Sequence, residues 1–142
     1  MKEIITKNNW TDKLKKEIQR YSKKNVYEAI HFKTSICECG NKKFLLDVDD
    51  REGVAVRTCS SCNAKKYMLD SIKYMDNADL EWCACPCGND KFELMIGVAL
   101  YKDSLDVKWT YIGCHCSVCQ LSACYADWKS EYTNYEKYLE MV

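Results

Sequence analysis

Two hydrophobic periods divide the chain. Over residues 10–24, Trp10, Leu14, Ile18 and Tyr21 recur every three to four positions among Lys13, Lys16, Arg20, Lys23 and Lys24. That spacing puts the apolar residues on one stripe of a helix. Asn9 is the expected N-cap, with Asp12 in the first turn, and a shorter helical piece is expected over residues 26–30. From residue 44 the period falls to two. Phe44, Leu46 and Val48 alternate with Leu45, Asp47 and Asp49, a polar turn follows at 50–53, and 54–58 return. This is the pattern of a β-hairpin. A longer hairpin repeats it, with Phe92, Leu94, Ile96, Val98 and Leu100 on one face, a turn at 102–106 and a return over 107–112. A third strand is expected after each hairpin, at 66–70 and 123–127. Helical spacing resumes in residues 129–142, where Tyr132, Tyr135, Leu139 and Val142 form the stripe. The linker 70–82 has no Pro or Gly and several large apolar residues, so it is not a flexible tether. The two halves are expected to pack as one unit about a pseudo-twofold axis.

The chemistry lies at the hairpin roots. The chain holds 11 cysteines, and eight obey one grammar stated twice. Cys37-Glu-Cys39-Gly40-Asn41-Lys42-Lys43-Phe44 precedes Cys59-Ser-Ser-Cys62. Cys85-Pro-Cys87-Gly88-Asn89-Asp90-Lys91-Phe92 precedes Cys116-Ser-Val-Cys119. The opening segment C-x-C-G-N-x-K-F agrees at all six defined positions, which marks an internal duplication. Two thiolates on each of two tight turns supply opposite edges of a tetrahedron, the arrangement zinc favours. Gly40 and Gly88 sit where the backbone bends beneath the metal and positive φ is needed. The metal ligands are thus Cys37, Cys39, Cys59 and Cys62 in the first site and Cys85, Cys87, Cys116 and Cys119 in the second. Four thiolates also suit iron, which is the less favoured ion.

Two cysteine-bearing turns joined by a hairpin and closed by a third strand resemble the zinc-ribbon superfamily, in both halves, over about residues 35–70 and 83–128. The first turn is C-x-C-G where the commoner ribbon turn is C-x-x-C-G. The expected fold is therefore mainly β, a small metal-bound α+β protein of two tandem zinc ribbons. It comprises a basic amphipathic helical segment (1–34), a first ribbon with its linker (35–82), a second ribbon (83–128) and a C-terminal helix (129–142), with the helices packed on the ribbons. Each site has a full set of four ligands, whereas a catalytic zinc keeps an open position. The expected role of the two Zn2+ ions is to hold a fold too small to bury enough apolar surface by itself.

Three cysteines remain, Cys83, Cys114 and Cys124, whose counterparts in the first copy are Ser35, Arg57 and Tyr67. They read as small buried hydrophobes; the alternative is a reactive thiol or an exchange ligand. His115, between two cysteines, is an alternative ligand, but its counterpart Thr58 argues against that role. His31 stands alone. No nucleophile–base pair, P-loop, dinucleotide fingerprint or nucleophile elbow occurs, and the acidic run 47–53 lacks the glycine position and closing glutamate of a calcium loop. The chain is not expected to be an enzyme.

Charge then narrows the partner classes. Lys+Arg and Asp+Glu are both 21, which excludes a wholly basic nucleic-acid-coating protein. Residues 1–43 hold 11 Lys/Arg against 5 Asp/Glu, so the basic segment 13–24 is the candidate contact for nucleic acid. A protein partner is favoured over it, with Trp82, Trp109, Tyr111 and Trp128 as candidate anchors, and a second copy of the chain is an alternative occupant of the helical stripes. No signal-peptide pattern or membrane-length apolar run occurs. The expected compartment is the cytoplasm, where thiols stay reduced and disulfides are not expected.

Overall fold

The computed structural model describes residues 9–142. Helix α1 spans Asn9–Lys24. It is followed by β1 (His31–Thr34), β2 (Phe44–Asp49), β3 (Val54–Cys59), β4 (Lys65–Tyr67), a 3-10 helix (Ser71–Asn77) and β5 (Glu81–Trp82). The second half contributes β6 (Phe92–Leu100), β7 (Val107–Cys116), β8 (Ser122–Tyr132) and helix α2 (Tyr135–Leu139). The protein is mostly β, built on one eight-stranded antiparallel sheet.

The sheet has the symmetry of the duplication. Its order is β4-β3-β2-β6-β7-β8, which reads the same from either end once β2, β3 and β4 are matched to β6, β7 and β8. At the centre Phe44 pairs with Phe92, the same position of the two repeats. The short strands complete the pattern by exchange. β1 leads into the first Cys-x-Cys turn but pairs with β6 of the second copy, His31 opposite Val98 through Thr34 opposite Met95. β5 leads into the second such turn but pairs with β2 of the first copy. The next backbone bonds match as well. Ser35 N–H donates to Leu94 O at 3.1 Å, and Cys83 N–H donates to Leu46 O at 3.0 Å.

One face of the sheet encloses the main core. Phe44, Leu46, Phe92, Leu94, Ile96 and Ile112 lie there fully buried, with Tyr138, Leu139 and Val142 closing over them. The other face of β6 and β7 is covered by α1 through Leu14 and Ile18. Gly97 and Gly113 make that contact close. A Cβ on Gly97 would lie 2.8 Å from Ile18 Cγ2, and one on Gly113 would lie 2.6 Å from Ile18 Cδ1 and 2.9 Å from Leu14 Cδ1. The hydroxyl of Ser22 accepts the Ala29 N–H at 2.9 Å and donates to Gln19 O, fixing the turn after α1.

Two expected elements differ. Residues 26–30 form a bend followed by irregular chain, not a helix, because Val26 takes φ +76° and the Ile30 N–H goes to Val98 O just before β1. The helix expected over 129–142 is confined to Tyr135–Leu139. Residues 129–132 continue β8, whose pairing with β7 runs to Tyr132 opposite Val107. Asn134, at φ +72°, stops the strand, and its side-chain oxygen caps the helix by accepting the Glu136 N–H at 2.9 Å. Tyr132, Tyr135, Leu139 and Val142 do face the interior, but as the end of a strand, a turn and one helical turn.

The seat of α1 gives a test. Gly113→Ala is expected to destabilise the fold by about 1–3 kcal/mol through overpacking. Ile18→Val removes the clashing Cδ1, so the double variant should lose less than the sum of the singles. Urea unfolding of the metal-loaded protein measures both.

Candidate metal centres

Each tetrad forms where a hairpin root meets its Cys-x-x-Cys turn. In β2–β3 the register places Phe44 opposite Cys59, and in β6–β7 Phe92 opposite Cys116. The Cys-x-Cys-Gly turn closes in the same way in both copies. Cys37 N–H donates to Asn41 O at 2.9 Å and Cys85 N–H to Asn89 O at 2.8 Å; Gly40 and Gly88 N–H donate to Cys37 O and Cys85 O, both at 2.8 Å. The glycines take φ +94° and +99°, and a Cβ at either would touch nothing within 4 Å. They are there for the backbone angle, not for space. In the second turn, Asn63 and Gln120 adopt the corresponding left-handed conformation at φ +66° and +69°.

The result is two clusters in which all four sulfurs lie within 4.8 Å of one another: Cys37, Cys39, Cys59 and Cys62, and Cys85, Cys87, Cys116 and Cys119. Cys37 and Cys62 sulfurs are 3.6 Å apart, Cys39 and Cys59 3.6 Å, Cys85 and Cys119 3.5 Å, and Cys87 and Cys116 3.6 Å. A disulfide would need about 2.0 Å. A tetrahedral ion bonded to sulfur at about 2.3 Å sets its ligands about 3.8 Å apart. The clusters fit a four-coordinate metal ion and contain no disulfide. In each, two cysteines are buried against the core and two are exposed.

Each cluster carries its own hydrogen-bond donors. The Asn41 side-chain amide donates to Cys59 Sγ at 3.3 Å and to Lys43 O at 2.8 Å; Asn89 donates to Cys116 Sγ at 3.2 Å and to Lys91 O at 2.7 Å. The N–H groups of Ser61 and Cys62 both approach Cys59 Sγ at 3.4 Å. These donors favour the thiolate. The Cys62 N–H, with Asn41 and the Ser61 N–H, holds Cys59 down to about 5 against its burial. Burial pushes Cys116 up, but the Cys119 N–H, Asn89 and the Val118 N–H outweigh it and bring the thiol to about 6. Both asparagines belong to the repeated C-x-C-G-N-x-K-F segment. The repetition was the signal for them, and ligand spacing alone gives them no role.

No protein-family model, curated protein or solved structure matches the chain. The two sites therefore rest on their own geometry.

The remaining candidates lie outside the clusters. Cys83 and Cys114 are buried in the main core, and Cys124 packs beside α1. Burial pushes Cys83 up to about 11 and Cys124 to about 12, and raises fully buried Cys114 as well. None of the three is poised as a thiolate. His115 is turned away because β7 alternates: Cys114 and Cys116 face the core and His115 faces α1. Its Nδ1 lies 2.8 Å from Ser122 Oγ, its Nε2 lies 3.2 Å from Gln120 Oε1, and its ring stacks on Trp10. His31 stacks on Tyr135. Among the described residues no helix is long and apolar enough to cross a membrane.

Asn41→Ala and Asn89→Ala should each weaken metal retention at their own site by about 10–100-fold, read by competition with a chromophoric chelator. The fold of the fully loaded protein should be kept.

Proposed function

We propose that this chain is a non-catalytic zinc protein: two structural four-cysteine zinc ribbons forming one scaffold that acts as a protein-interaction adaptor or regulator. The observation that carries this reading is the closure of both sites. Each has four sulfurs around one point, so an ion there has no position left for substrate or an activating water. Zinc accepts a tetrahedral four-thiolate site without geometric cost, and iron is the alternative.

Charge supports a protein partner over nucleic acid. The chain balances at zero with its cysteines neutral. Eight thiolates around two divalent ions bring the loaded form to a net −4. A cleft of about 440 Å³ opens between the β2–β3 turn, the 3-10 helix and β8, with Asp50, Glu52, Asp70 and Glu131 outnumbering Arg51 and Lys129 on its walls. Of the four aromatic anchors considered, Tyr111 and Trp128 are core residues and Trp109 is half-buried with its Nε1 on Asp127. Trp82 alone stands out, 59% exposed on β5, with Ile72 and Tyr74 exposed in the 3-10 helix just before it. The nucleic-acid alternative rests on the solvent face of α1. Arg20 there is paired with Glu17, and Lys23 approaches Glu28.

Elemental analysis of protein purified without added metal tests the reading directly. Two zinc ions per chain, colourless protein and unfolding on chelation or acidification are expected. A red protein would make the metal iron, and a chain without metal would end the ribbon reading. Retention on nucleic acid that weakens steeply with salt would move the function to the alternative.

A further inference from the structure

We infer that the two tetrads bind metal as one coupled unit: loading either site raises the affinity of the other, so the chain passes between a metal-free form and a two-metal form over a narrow range of free metal. This rests on the metal reading above and adds to it that the sites are not independent clamps but a threshold device.

The coupling follows from which copy holds which turn. The Cys37–Cys39 turn ends β1, and β1 is hydrogen-bonded to β6, the strand that rises from the second site. The Cys85–Cys87 turn ends β5, and β5 is hydrogen-bonded to β2, the strand that rises from the first. The last bond before each turn repeats the exchange, Ser35 N–H to Leu94 O and Cys83 N–H to Leu46 O. Each copy therefore supplies all four sulfurs of its own site, while the other copy supplies the strand that fixes the first two. Between the sites Phe44 pairs with Phe92, both fully buried. The buried ligands Cys37, Cys59, Cys85 and Cys116 share one hydrophobic cluster with them.

Loss of the first ion frees the roots of β2 and β3. β5 then has no ordered partner, and the Cys85–Cys87 turn is no longer held for the second ion. The same argument runs in reverse through β6 and β1. A one-metal chain must keep a shared core and a strand without its sheet partner, so the free energy of that shared packing is lost with either ion. Metal binding that is also folding free energy makes the coupling reciprocal.

The test is stepwise addition of zinc to the reduced, metal-free chain, with native mass spectrometry counting the forms and far-ultraviolet circular dichroism following the fold. Independent equal sites would put about half of the chains in the one-metal form at half-saturation. The expected result is that this form stays well below that level and that the fold appears with the two-metal form. The double variant Cys39→Ser/Cys62→Ser changes only the exposed ligands of the first site. It should weaken cobalt binding at the intact second site by about tenfold or more, and Cys87→Ser/Cys119→Ser should do the same to the first. A one-metal form at the independent level overturns the inference even if the variants fold poorly, because the unaltered chain decides it. Unchanged affinity at the intact sites overturns it too. A chain that takes up no metal at all fails the underlying metal reading instead.

Discussion

The structure depends on sulfur held at the hairpin roots. Each copy adds three strands to one sheet and one core, and in both the Cys-x-Cys turn is brought to the hairpin root at a sulfur cluster. A structural four-thiolate site adds on the order of 10–16 kcal/mol at neutral pH, more than the net stability of many domains. The tetrads are also not separate from the hydrophobic core. One cysteine from each turn is buried in the same cluster as Phe44 and Phe92, so an ion held by the tetrads would order the same backbone that apolar burial orders.

The two copies agree at their roots and differ elsewhere, and the differences follow from what covers each one. On the second copy α1 lies close against β6 and β7, which requires Gly97 and Gly113; the first copy has Asp49 and Val56 at those places. Asp49 caps its own turn, accepting the N–H groups of Arg51, Glu52 and Asp79. On the first copy the end of the described chain is the cover. Arg57, 5% exposed, lies over the Phe44 ring and donates to Val142 O from Nε and Nη2 at 3.3 and 3.2 Å. Its counterpart Cys114 is 1% exposed within the main core. The spare thiol is thus explained by packing.

What the sequence made legible was local. Alternation over 44–58 and 92–112, the helical stripe of α1 and the repeated cysteine grammar each depend on neighbours within a few residues, and each could be read without knowing the rest of the fold. The exchange of β1 and β5 could not. His31–Thr34 and Glu81–Trp82 are too short to show a period, and their partners lie about 60 and 35 residues away in the chain. The parity of β8 was hidden for a similar reason. The pairing with β7 shifts between Gly113 opposite Cys124 and Ile112 opposite Ala126, which leaves Tyr125 as the extra residue of a bulge. That shift turns Trp128 to the core and Asp127 to α1, where it accepts from Tyr21 and Trp109. Strict alternation would put Asp127 inside. The helical reading of 129–132 failed at the same strand, because tertiary pairing outweighed a spacing that fits either period.

The loaded charge also changes how the lysines should be read. Lys43 and Lys91 recur at the same place in both repeats, each four residues past a ligand, and Lys65 and Lys66 follow Cys62 at three and four. In a neutral-thiol count they make the root end basic and suggest a phosphate-binding surface. A four-thiolate site around a divalent ion, however, carries a formal −2. Cations placed within a Debye length, about 8 Å at physiological salt, act first on that charge. Lys91 Nζ pairs with Asp90 at 3.1 Å, while the backbones close the turns, Lys43 O and Lys91 O accepting the same asparagines that donate to sulfur. The repeated lysine is therefore tied to the candidate metal site through its carbonyl. The cleft beside the β2–β3 turn sets Asp50, Glu52, Asp70 and Glu131 against Arg51 and Lys129, so among the described residues Trp82, 59% exposed on β5, is the largest apolar side chain left in solvent.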